Sequence, residues 1–135
     1  MQLEIDVMRK GIVITLCIIV CLFSCGATSN QTNKVDTSNM QLMYTTAYCL
    51  HGVTASGGTT HQGIAACNTH LGEIALIYST DGEYLGMYEI TDTGGTDGLI
   101  AGTVIDVWKA NYTQCKSWMK LTNGRVYVQW VKGVG

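Results

Sequence analysis

The chain is 135 residues long, 47% apolar and 13% charged, with a formal net charge of -2. That size and balance suit one globular domain and exclude a disordered chain. With no run of lysine or arginine there is no basic field to hold a polyanion, so no nucleic-acid partner is expected.

In chain order, Arg9 and Lys10 precede an apolar run from Gly11 to Phe23, GIVITLCIIVCLF. The run is as long as the core of an export signal and falls short of the ~20 residues a membrane-spanning helix needs. Residues 1–25 therefore read as a signal segment. Its end, Leu22-Phe23-Ser24-Cys25-Gly26, resembles the lipobox of bacterial lipoproteins, in which the cysteine is lipidated and becomes the first mature residue. Lipidation at Cys25 is the favoured reading; because Phe23 is bulkier than the residue usual there, cleavage elsewhere and an uncleaved anchor stand as its alternatives. Cys17 and Cys21 read as small apolar residues of the hydrophobic run. Residues 26–39 carry almost nothing to bury and read as a flexible polar tether. The folded domain is expected over residues 40–135.

Short segments rich in β-branched and aromatic residues follow, bounded by glycine and polar turns. Strands are predicted at Leu42 to Leu50, Gly63 to Ala66, Ile74 to Tyr78, Tyr84 to Thr91, Val104 to Trp108 and Arg125 to Val131. Asp81-Gly82 predicts a two-residue hairpin between two of them. One helix is predicted over Tyr112 to Leu121, with Cys115, Trp118 and Met119 on one face and Asn123-Gly124 stopping it. Six strands and one helix in so short a chain predict a mainly β, small closed barrel.

Cys49, Cys67 and Cys115 fall in the domain, an odd number, so one bridge would leave a free thiol. Proximity to predicted strand ends points to Cys49 with Cys67, although sequence does not settle the pair. A cysteine nucleophile served by His51, His61 or His70 matches no local hydrolase signature. The same histidines lack zinc spacing and read as loop or surface residues, so neither a metal nor a cofactor is expected.

Carboxylates carry the sharper signal. Asp92 ends one strand and is followed by Thr93-Gly94-Gly95, while Asp106 sits inside the next between Ile105 and Val107. A carboxylate in an apolar strand is costly to bury unless it is paired or functional. Alternation sends Asp106 away from the face of Ile105 and Val107, toward a groove if they face the core. If the two strands neighbour one another, like-charge coupling and desolvation would raise one pKa and make a general acid. Spacing alone favours the plainer reading, in which Asp92 caps a turn and Asp106 accepts backbone hydrogen bonds. Asp97-Gly98 reads as an ordinary turn.

Taken together, Ala47-Tyr48-Cys49, Thr54-Ala55-Ser56-Gly57, Gly63-Ile64-Ala65-Ala66-Cys67-Asn68, His70-Leu71-Gly72, Asp92-Thr93-Gly94-Gly95 and Ile105-Asp106-Val107 resemble, in that order, the three-aspartate ("3D") domain. That domain is a six-stranded double-psi β-barrel found in bacterial lytic transglycosylases of the membrane-bound A type and in stationary-phase muralytic proteins. The resemblance spans about Tyr44 to Val131 and is most specific in DTGG with a downstream IDV. It implies cleavage of peptidoglycan between N-acetylmuramic acid and N-acetylglucosamine, with the substrate's C6 hydroxyl closing a 1,6-anhydro ring. Asp106 would be the catalytic acid and then base, and Asp92 would tune it and touch sugar.

Thr93, Gly94 and Gly95 would orient the glycan, with Asn68 beside them, where the family usually has its first aspartate. Thr54 and Ser56 either line the groove or serve a turn. Trp108 is expected in the groove, Trp118 in the core, and Tyr48 is open between the two; Glu89 is a candidate accessory carboxylate. The implied partners are peptidoglycan strands and, through an N-terminal lipid or signal anchor, a bacterial membrane, for a monomer in the cell envelope or secreted. The alternative on the same barrel is a noncatalytic glycan-binding or wall-loosening module such as expansins illustrate, and Asn68 is the residue that favours it.

Overall fold

The computed structural model describes residues 34–133; the signal segment, Cys25 and the first part of the tether lie outside the described residues. Six strands, β1 (Gln41–Tyr48), β2 (Ile64–Ala66), β3 (Ile74–Tyr78), β4 (Tyr84–Asp92), β5 (Val104–Trp108) and β6 (Arg125–Val131), close into a barrel in the order β1-β5-β2-β4-β3-β6. Pairs β1/β5 and β2/β4 are parallel, and the rest are antiparallel. Exchanging each of β1 to β3 with the strand three later maps β1/β5 onto β2/β4 and β1/β6 onto β3/β4, each with its sense kept, and β2/β5 and β3/β6 onto themselves. The barrel thus has a two-fold repeat of topology that the sequence does not display.

All six predicted strands are present. β1 stops two residues earlier than expected: the Lys109 amide still donates to the Tyr48 carbonyl (2.8 Å), but beyond it the Leu50 carbonyl accepts from the Trp108 indole (2.9 Å) and leaves the ladder. The β3–β4 hairpin is a correction of a different kind. Its loop has three residues, Thr80 to Gly82, closed by the Ser79 amide on the Glu83 carbonyl (2.8 Å), with Gly82 at φ 84°. A left-handed glycine in the last position of a three-residue loop restores the strand twist. Val35 lies beside that glycine, so the end of the expected tether touches the barrel.

The barrel interior is filled by alternate residues of the strands: Met43, Ala65, Ala75, Ile77, Tyr88, Ile90, Ile105, Val107, Val126 and Val128. One helix packs on β1. Helix α2 (Tyr112–Thr122) starts at Asn111, whose side chain accepts from the Gln114 amide, while the Gln114 side chain returns to the Ala110 amide. It ends where Asn123 (φ 48°) and Gly124 turn left-handed. Its buried face is Cys115, Trp118 and Thr122; Met119, expected there, is 38% exposed because the contact with β1 is a narrow stripe. Trp118 reaches through to donate to the Thr45 hydroxyl (2.9 Å). A short helical turn, α1 (Asp97–Ile100), replaces the simple turn expected at Asp97-Gly98.

Candidate functional site

Asp106 pairs with Thr46 on one side and with Ala66 on the other, and Ala66 in turn pairs with Asp92. The four residues form one row across β1, β5, β2 and β4. The strands of Asp92 and Asp106 are therefore not neighbours, the condition set for their direct approach, but stand on either side of β2. Two strand spacings set their Cα atoms roughly 9.5 Å apart.

A bulge makes this row. Ala65 pairs with Ile90 but Ala66 pairs with Asp92, so Thr91 is the extra residue on β4. Bulges re-aim the side chain that follows them. Here Asp92 comes level with Ala66 and Asp106, and Thr91 gives its carbonyl to the Ser56 amide (3.0 Å) and hydroxyl (2.9 Å). Its own hydroxyl is the buried side-chain oxygen without a partner among the described residues.

Three of the row, Asp106, Ala66 and Asp92, line an open cleft of about 340 Å³, where the small Ala66 leaves room between the two carboxylates. Further lining comes from Tyr48 and the loop Leu50, His51, Gly52 and Val53, with Thr60, and from Thr93, Gly94 and Leu99. Leu50 and Val53 are 76% exposed each and give the rim an apolar edge.

The two aspartates are held differently. Asp92 accepts three hydrogen bonds: the Tyr48 hydroxyl on Oδ2 (3.1 Å), and the amides of Ala55 (3.1 Å) and Thr93 (2.9 Å) on Oδ1. Its carboxylate is committed as an acceptor. Asp106 accepts one, from the Thr46 hydroxyl to Oδ1 (2.8 Å), and among the described residues Oδ2 takes none. Burial raises the Asp106 pKa above the usual carboxyl range; the Thr46 bond opposes that shift and the charge of Asp92 adds to it. Burial, and then the Asp92 charge, likewise push the Tyr48 phenol up, so it stays a donor.

Of the remaining expected site residues, Thr93 and Gly94 line the cleft and Gly95 does not. A side chain at Gly94 would strike Leu99, which explains the glycine there. Asn68, half-buried, clamps Gly94 from behind: its amide donates to the Gly94 carbonyl and its oxygen accepts from the Gly94 amide, both at 2.9 Å. Thr54 and Ser56 belong to turn chemistry. Thr54 is buried and bonds Gly58 and the Ser56 hydroxyl, while Ser56 ties the loop to β4.

Trp108 is a correction. It is 5% exposed, its indole spent on Leu50 and its ring met edge-on by His51 (5.5 Å), so the loop covers it and keeps it out of the cleft. Glu89 is exposed and lies outside the cleft lining. Tyr48 and Thr46, by contrast, are site residues that position in the sequence left open or unremarked.

The three domain cysteines carry free thiols. Cys67 is fully buried with its sulfur on the Thr69 hydroxyl (3.8 Å), and the neighbour of Cys49 is Cys115 instead of the expected Cys67. No known family model, curated protein or solved structure matches this chain.

Proposed function

We propose that this protein is an exported lytic transglycosylase of the three-aspartate, double-psi barrel kind, acting on peptidoglycan strands in the cell envelope. The observation that carries this reading is the asymmetry of the carboxyls in one cleft: Asp106 has one oxygen free and its protonated form favoured by burial, and Asp92 is locked by three donors. One proton-exchanging carboxyl with one fixed negative charge suits a reaction in which the substrate supplies its own nucleophile. A hydrolase that activates water needs a second free carboxylate.

In this mechanism protonated Asp106 gives its proton to the glycosidic oxygen as the bond to N-acetylglucosamine breaks. The developing positive charge on the muramic ring is offset by Asp92. Asp106, now a carboxylate, takes the proton of the C6 hydroxyl as that oxygen bonds to C1 and closes the 1,6-anhydro ring. Thr93 and the backbone of Gly94, held by Asn68, orient the sugar. The apolar rim of Leu50 and Val53 is suited to the acetamido and lactyl groups that mark this polymer.

A second reading is a glycan-binding or wall-loosening module that breaks no bond, and Asn68 favours it: its amide is used up on Gly94 and adds no charge to the cleft. Mass spectrometry of the fragments released from purified sacculi separates the two. Anhydro-muropeptides from the wild type and none from Asp106→Asn support the transglycosylase. Co-sedimentation of both proteins with the wall and no soluble product from either supports the module.

A further inference from the structure

Outside the cleft, two thiols meet where β1 gives way to the helix. Cys49 is the residue after β1 and is half-buried; Cys115 lies in the first turn of α2 and is 7% exposed. Three features bring them together. The Lys109 amide on the Tyr48 carbonyl (2.8 Å) carries the β1/β5 pairing past the strand ends, beside Cys49. The Asn111 cap then turns the chain into α2, and the Cys115 amide donates to the Asn111 carbonyl (3.1 Å). Trp118, one turn on, anchors the helix to β1 through Thr45. The helix therefore runs back along β1 and sets its buried Cys115 against the end of that strand, where Cys49 follows.

Among the described residues no third metal-binding side chain joins them, and two sulfurs alone make a poor metal site. Cys67 has its own partner in Thr69.

We propose that Cys49 and Cys115 close into a disulfide that staples the first turn of α2 to the end of β1. The oxidant is an external disulfide, RSSR, small or protein-borne. Cys49, the more exposed thiol, attacks it as the thiolate, forming Cys49–S–S–R and releasing one RSH. The Cys115 thiolate then attacks the Cys49 sulfur, forming the Cys49–Cys115 bond and releasing the second RSH. Two protein thiols are oxidised and one external disulfide is reduced to two thiols. Burial, the neighbouring Cys49 and the Asp106 charge all disfavour the Cys115 thiolate, with only the Lys109 ammonium opposing them, so the more exposed Cys49 takes the first step and Cys115 the second, intramolecular one.

With the helix already anchored on β1, the two side chains need only local adjustment to reach the ~2.05 Å bond. The bridge closes a loop of about 66 residues, a length for which the loss of unfolded-state freedom is large. It sits beside the strand that carries Thr46 and Tyr48, the donors to Asp106 and Asp92.

The test is to incubate the reduced full-length protein with oxidised glutathione, alkylate it, and digest with trypsin and then chymotrypsin, which separates Cys49 from Cys67. A Cys49–Cys115 cross-linked peptide is expected, with a reductant-reversible rise in Tm on the order of 10 °C that Cys115→Ser abolishes. Both thiols alkylated, glutathione left on Cys49, or a bridge to Cys67 would each overturn the proposal. So would a Cys49–Cys115 bridge that leaves Tm unchanged.

Discussion

Asp106 and Asp92 face the same cleft from strands separated by β2, with Ala66 alone between them in the row. The gap leaves open space between two carboxylates that would otherwise repel at contact. It also divides their work, since Asp92 is saturated with donors and Asp106 keeps one oxygen free. Three consequences of that row and one of its support are open to measurement.

Replacing Asp106 with Asn keeps the Thr46 bond, because the amide oxygen still accepts, and removes the transferable proton. Release of anhydro-muropeptides should fall by roughly 10²- to 10⁴-fold, the usual contribution of a positioned acid-base group. The same variant should be more stable than wild type at neutral pH. The folded-state pKa of Asp106 is raised above its unfolded value near 4, so its contribution to stability is greatest below the unfolded pKa. That contribution is lost as pH rises toward the folded pKa. Thermal melts should therefore show the two proteins converging near pH 4 and the variant ahead at pH 7; a variant less stable at both would contradict the burial argument.

The pH profile of activity follows from the same group. In the proposed mechanism the acid step needs protonated Asp106, so kcat/KM should decline as pH rises through its raised pKa. Asp92→Asn removes the negative charge that adds to the shift. The declining limb should then move to lower pH, and a limb that stays in place would mean that Asp92 does not act on Asp106 electrostatically.

How much of this was legible in the sequence depends on the range of each interaction. That Asp106 faces away from the core follows from alternation, and Ile105 and Val107 are indeed fully buried on either side of it. The six strands and the helix were readable for the same local reason. Strand order was not: β2 enters between β4 and β5 through crossovers that no local pattern encodes, so the separation of the aspartates was unseen. Nor were the donors, since Thr46 lies 60 residues from Asp106 and Tyr48 lies 44 from Asp92. Trp108 departs from expectation because alternation gives a side and cannot foresee the loop that covers it.

Filling the gap tests the row itself. Ala66→Leu projects a larger side chain between the carboxylates into a position that is only 3% exposed. Glycan binding and cleavage should both be lost, at a stability cost of about 1–3 kcal/mol for overpacking. An Ala66→Leu variant that folds and retains wall binding in co-sedimentation would place the ligand elsewhere.

Asn68 offers the finest test, because one atom separates it from an aspartate. Asn68→Asp keeps the acceptor for the Gly94 amide and loses the donor to the Gly94 carbonyl, setting a carboxylate oxygen against that carbonyl in a half-buried place. The expected cost is about 1–3 kcal/mol, read from urea unfolding at neutral pH. It should shrink below the carboxyl pKa, where the protonated acid can donate again. With Gly94 loosened, KM for the glycan should rise more than kcat falls, since Asn68 reaches the sugar only through the backbone it holds. If instead the variant were as stable as wild type and more active, the carboxylate would be serving the cleft directly, and the clamp on Gly94 would not be the reason for the amide.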